Sequence, residues 1–202
     1  MAATDAGANS ARYDVVVTNL AGSVTSAVTE VTIADSWFVN LSARAWAGVG
    51  EDSIQQGFVL GLSHQSLLVR AVGPTLADFE AASVLSDLRL EVIRLSDRST
   101  LAANDDWQDD EGPDLHEMTA RLGAFALGEG SKDAADFVLT QTAGSYSIVS
   151  TGADAGTGIV LTEIYEEGQG SGRLVNLSTR ARVRAGDRVL TGGFVNRVGG
   201  GI

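Results

Sequence analysis

The amino-acid sequence predicts a mainly β protein: an antiparallel, jelly-roll-like β-sandwich with two short helices, flanked by partial β units. Three observations carry this expectation. Short runs rich in Val, Ile, Thr and aromatic residues recur along the chain, the composition that suits a pleated, half-buried surface. Clusters of Gly, Asp, Asn and Ser separate these runs, and most intervals are too short for a crossover helix. The 202 residues are 44% hydrophobic and 20% charged, the balance of a chain that packs a core.

Taken in order, the run Tyr13–Thr18 and the run Val24–Ile33 predict two strands, with Asn19-Leu20-Ala21-Gly22 as the hairpin turn between them. Further strands are expected over Trp37–Trp46, Gln56–Leu62, Ser66–Val72, Leu88–Leu95, Asp136–Thr140, Ser145–Ser150 and Gly158–Tyr165. Pro74 opens the first helical candidate, in which Leu76 and Phe79 are spaced to share a face. The second covers Leu115–Leu122, with Asp114 as N-cap and Leu115, Met118 and Leu122 near one stripe. Both are too short to stand alone and are expected to lie against the sandwich.

An internal repeat sets the domain organisation. Asn40-Leu41-Ser42-Ala43-Arg44 returns as Asn176-Leu177-Ser178-Thr179-Arg180, Gly50-Glu51 as Gly186-Asp187, and Gly57-Phe58-Val59 as Gly193-Phe194-Val195. Every displacement is 136 residues (40 to 176, 50 to 186, 57 to 193), and such conserved register marks a structural repeat. Residues 35–167 are therefore read as a complete β-sandwich module and 168–172 as a Gly-rich linker. Residues 173–202 are read as the first two strands of a second copy, and residues 1–34 belong to a preceding unit. Two strands alone are marginal in water, so the second copy must dock on the first, find another chain, or be poorly ordered.

The segment Tyr13-Asp14-Val15-Val16-Val17-Thr18-Asn19-Leu20-Ala21-Gly22 resembles the last hairpin of a bacterial immunoglobulin-like domain. The resemblance covers residues 1–34. It implies that Tyr13 stands near the start of strand F, in the position of a tyrosine corner, with Val15 where antibody domains carry Cys. From Trp37 to Tyr165 the chain resembles an uncharacterised β-sandwich repeat of large secreted or surface bacterial proteins. The resemblance rests on Asn40-Leu41-Ser42, Gly57-Phe58-Val59, Leu67-Leu68-Val69-Arg70-Ala71-Val72-Gly73-Pro74, Asn104-Asp105-Asp106-Trp107 and Ser131-Lys132-Asp133-Ala134-Ala135. It implies a fold and an extracellular setting, and brings no activity.

Composition narrows the function classes. Lys and Arg number 14 against 26 Asp and Glu, a formal net charge of -12, which disfavours nucleic acid and anionic membrane surfaces as partners. There is no Cys, so disulfides and thiolate metal sites are excluded. No window approaches a membrane-spanning length, and no signal peptide is readable at the N-terminus.

The densest acidic cluster, Asn104, Asp105, Asp106, Asp109 and Asp110, is a candidate calcium site, because hard cations take several oxygen ligands. Its spacing differs from that of an EF-hand, and a solvated acidic loop with Trp107 packed on the sandwich is the alternative. His64 and His116 lack a nucleophile context and are read as surface residues. Gly152–Gly158 is Gly-rich but lacks the following Lys of a phosphate loop, so it is read as a hairpin loop. Arg70 interrupts an apolar strand and needs a carboxylate or carbonyl partner if buried. Asn40 and Asn176 fit a glycosylation pattern but are read as satisfying backbone groups.

No catalytic residue and no cofactor-binding residue is assigned. The expected function is a non-catalytic structural or adhesive module of a multidomain extracellular bacterial protein. The alternative is a carbohydrate-binding accessory module of a secreted polysaccharide-acting enzyme, with Trp37, Trp46 or Trp107 as stacking platforms. Expected partners are other domains of the same chain and surface glycans or proteins, with no membrane insertion.

Overall fold

A computed structural model describes residues 9–33, 36–61, 65–108, 115–140, 142–167, 174–183, 185–186 and 188–198. The chain divides into two compact units, one formed by residues 1–36 with 197–202, the other by residues 37–196.

In the first unit four short strands make two ladders. β1 (Asn9–Tyr13) pairs antiparallel with β4 (Thr29–Ile33), and β2 (Val16–Asn19) with β3 (Gly22–Thr25). The expected turn is present, with Asn19 opposite Gly22. Each arm of the hairpin is nevertheless two strands where one was expected. Ser26 explains the break: its Oγ accepts from Val15 N–H at 3.0 Å, and its own N–H donates to Val15 O at 2.9 Å. A side-chain acceptor replaces a ladder partner there and interrupts the ladder. The tyrosine-corner expectation falls on the Tyr13 side chain, outside the described residues.

The second unit is an antiparallel β-sandwich of two five-stranded sheets. Its strands are β5 (Ser36–Ala47), β6 (Ile54–Leu60), β7 (Gln65–Val72), β8 (Leu88–Arg94), β9 (Thr100–Asn104), β10 (Ala134–Thr140), β11 (Gly144–Gly152), β12 (Gly158–Glu167), β13 (Leu174–Arg180) and β14 (Thr191–Val198). One sheet runs β10-β7-β12-β5-β14 and the other β13-β6-β11-β8-β9, joined among the described residues through the pair Leu174 and Phe38. Without β13 and β14 the orders are β5-β12-β7-β10 and β6-β11-β8-β9, the interleaved double Greek key of a jelly roll. The second copy of the repeat docks on the first, β13 against β6 and β14 against β5. Gly50 and Gly186, equivalent in the two copies, both hold a left-handed turn with φ of 62° and 69°, a conformation that favours glycine.

Burial follows from the layers. β6, and β11 from Tyr146 onward, alternate between buried and half-buried positions, so one face of their sheet meets the core. There Leu41, Phe58, Leu90, Tyr146, Ile148 and Ile164 form one cluster. β7 and β12 are buried on both faces, which accounts for their largely apolar runs, interrupted by Arg70 in one and by Thr162 and Glu163 in the other. Their outer face carries a second cluster, in which Leu68, Val72 and Ile159 meet Trp107, Leu115 and Met118.

The helix that covers this outer face, α1 (Leu115–Leu122), lies where expected. It ends in a Schellman arrangement: Gly123, at φ 73°, donates to Ala120 O and Ala124 donates to Thr119 O. Asp114, the expected N-cap, lies outside the described residues. Pro74–Phe79 forms a 3-10 helix, with Leu76 buried and Phe79 exposed at the rim, edge-on to Phe125.

Candidate functional site

The acidic cluster is divided by its local hydrogen bonding. Asn104 closes β9 and uses both ends of its amide: Nδ2 donates to Asp106 O at 3.1 Å, and Oδ1 accepts from Ala135 N–H at 3.0 Å. Asp106 Oδ2 is paired with Lys132 Nζ, while Asp105 is exposed. Asp109 and Asp110 lie outside the described residues. Among the described residues no group of three or more His, Asp and Glu stands close enough to hold a metal ion.

Beside this loop the structure builds a site that carried no role in the sequence reading. Asp133 is fully buried, and its carboxylate accepts from Gly73 N–H at 2.7 Å, Thr75 N–H at 3.3 Å, Ser131 Oγ at 2.7 Å, and Thr75 Oγ. A buried carboxylate that fills its lone pairs in this way is a tie. It holds the start of the 3-10 helix against β10.

Arg70 is the second buried charge. It is fully buried, directly opposite Glu163 in the β7–β12 ladder. Nε and Nη2 donate to Glu163 Oε2 at 3.1 and 2.8 Å, and Nη1 donates to Phe125 O at 2.7 Å. The guanidinium carbon lies 4.5 Å from the Phe125 ring centre. Both expected partners of a buried arginine, a carboxylate and a carbonyl, are thus present. Tyr165 donates to the other oxygen, Glu163 Oε1, at 3.0 Å. Burial, reinforced by the Glu163 carboxylate, pushes the Tyr165 phenol above its ordinary range.

Trp107 is buried, and its Nε1 faces Gly128 O at 3.3 Å and Ser131 Oγ at 3.2 Å. His116 is exposed, edge-on to Trp107 at 4.6 Å, with Nε2 3.3 Å from Glu129 Oε1. Between them lies a cavity of ≈ 130 Å³, also lined by Thr119, Ala124 and Leu127, well below the roughly 300 Å³ at which ligand pockets begin. Trp46 is half-buried with the Arg188 guanidinium 3.8 Å from its ring centre. The Trp37 side chain and His64 lie outside the described residues. Among the described residues no two tryptophans share an exposed face.

Two smaller expectations, for Asn40 and for Gly152–Gly158, agree with the geometry. Asn40 Nδ2 donates to Ile164 O at 3.2 Å, a cross-strand backbone contact. Gly152–Gly158 joins β11 to β12 as a hairpin loop, in which Asp154 Oδ1 accepts from Gly156 N–H at 3.0 Å. No described helix is long and apolar enough to cross a membrane. The chain matches no protein-family model, no curated protein and no solved structure.

Proposed function

We propose that this chain is a non-catalytic structural or adhesive β-sandwich module of a multidomain extracellular bacterial protein. The observation that carries the reading is the use of the internal repeat: β13 and β14 extend both sheets of the preceding copy, as in an array of modules that pack on one another. The buried charges of Arg70, Glu163 and Asp133 support it, because each is engaged by partners within the fold. The setting rests on the resemblance to surface and secreted bacterial repeats. Other domains of the same chain, and glycans or proteins at the surface, are the partners of such a module.

The test is labelling of intact cells that make the protein, with an antibody against residues 37–196. The reading expects labelling without permeabilisation, or recovery of the protein from the medium. Labelling only after permeabilisation would contradict it. A glycan array probed with the folded chain separates the carbohydrate-binding alternative, which expects saturable binding abolished by Trp46→Ala.

A further inference from the structure

The two copies of the repeat meet through equivalent residues. At the displacement of 136 residues (40 to 176), Ser178 is the counterpart of Ser42 and Gly193 the counterpart of Gly57. Ser178 stands opposite Gly57 in the β13–β6 ladder, where a Cβ on Gly57 would fall 2.5 Å from Ser178 Oγ. Reciprocally, a Cβ on Gly193 would fall 2.7 Å from Ser42 Oγ. Phe38 pairs with Leu174, its own counterpart. When two residues meet and their counterparts meet in return, while one residue meets its own counterpart, the contact is isologous. A pseudo-two-fold axis therefore passes between Phe38 and Leu174, and the pairing of β5 with β14 repeats that of β6 with β13.

Among the positions that differ between the copies, two break the symmetry of charge at the contact. Arg182 is the counterpart of Trp46, and Arg188 the counterpart of Asp52. In one half of the contact Arg182 Nη1 lies 3.0 Å from Asp52 Oδ1, with Glu51 Oε2 3.7 Å from Nη2. In the other half, at the equivalent place, the Arg188 guanidinium lies over the Trp46 ring. The pairing of unlike copies therefore yields an ion pair and a cation–π contact. Two first copies would set Asp52 against Trp46 in both halves, a carboxylate against the negative face of a ring. Two second copies would set Arg182 against Arg188 in both halves, like charge against like.

We propose that the β5–β6 edge is a recognition surface for a like repeat, and that Trp46, Asp52, Arg182 and Arg188 select an unlike copy over an identical one. The partner it fits is the first two strands of another repeat carrying arginine at the positions of Arg182 and Arg188. Attraction in the correct pair and repulsion in the wrong ones together set such a preference. The inference stands apart from the extracellular reading, since it rests on the contact between the copies.

The experiment uses the full chain with a protease site placed within residues 168–172, cut after folding and passed over a sizing column at high micromolar concentration. Residues 173–202 are expected to co-elute with the rest. Asp52→Arg is expected to release the segment, and Asp52→Arg with Arg182→Asp to restore co-elution. Arg182→Trp with Arg188→Asp matches the second copy to the first at both positions and is expected to release the segment without altering the module. Release should appear as at least about a tenfold weaker association, the change that about 1.4 kcal/mol produces. Retention of the segment in the Arg182→Trp, Arg188→Asp variant would overturn the selectivity. Release of the unmutated segment on cutting would overturn the interface.

Discussion

Phe58 and Phe194 hold the same position in the two copies of the repeat, yet Phe58 is 1% exposed and Phe194 65%. Their backbones behave alike: each lies in a strand that pairs antiparallel with the opposite copy, downstream of a left-handed glycine. What differs is the cover. Phe58 stacks on Tyr146 of β11 at 5.3 Å between ring centres, within the main core. Phe194 meets only the edge of a ring, Phe38, at 5.5 Å among its described aromatic contacts. The repeat motif therefore specifies strand, turn and register locally, whereas burial comes from strands far along the chain. Docking by β13 and β14 combines backbone pairing with a few side chains at the edge of the main core, where Leu174 is buried and Leu177 and Leu190 are partly buried.

Substitutions at this pair give the largest expected contrast. Phe58→Ala should cost about 3–5 kcal/mol of unfolding free energy, the usual range for a buried aromatic. Phe194→Ala should cost less than about 1 kcal/mol, since little area is removed from water there. Urea denaturation of the full chain measures both, and equal losses would erase the distinction between the copies. Glu163→Gln probes a feature found in the first copy alone. It leaves Arg70 buried without its counter-charge, and a loss of about 3 kcal/mol is expected; a change under about 1 kcal/mol would mean that Phe125 O and the ring suffice.

The smallest effect concerns the β8–β9 turn. Asp97 Oδ1 accepts from Ser99 N–H at 3.0 Å and from Ser99 Oγ at 2.7 Å, with Arg94 beside the carboxylate. The backbone hydrogen bond first, then the hydroxyl, hold the Asp97 carboxyl below its usual range. A group with a depressed folded pKa adds stability above its unfolded pKa and loses it as pH falls through the folded value. Asp97→Asn should therefore make the acid limb of a stability profile slightly shallower, while an unchanged limb would show that solvent screens the interaction entirely.

How much of this was legible in the sequence depended on the range of the interactions involved. β7 could be read from Ser66 to Val72 because both its faces are buried and the run from Leu67 is apolar but for Arg70. β9 was missed because Thr100-Leu101-Ala102-Ala103-Asn104 has little β-propensity and is held as an edge by β8, with a register shift. The tyrosine corner anticipated at Tyr13 has a described parallel at Tyr146, whose hydroxyl donates to Thr142 O at 2.5 Å. Asp133 stood in the sequence only within the Ser131–Ala135 motif, with no role assigned. Apart from the neighbouring Ser131 hydroxyl, its donors come from Gly73 and Thr75, some sixty residues earlier, so no local pattern could assign it. The repeat itself was plain by register, but the opposition of Trp46 to Arg188 and of Asp52 to Arg182 exists only once the strands are paired.

Hydrogen exchange of the full chain, followed by mass spectrometry, tests the reciprocal docking of the two copies most directly. Paired strands protect their amides whether or not their side chains are buried. The structure predicts slowed exchange in residues 174–180 and 191–196, even though Phe194 and Val195 are exposed, together with protection of the facing residues 55–60 and 38–44. Exchange of 174–180 and 191–196 at the rate of an unstructured chain, with the module still protected, would contradict it.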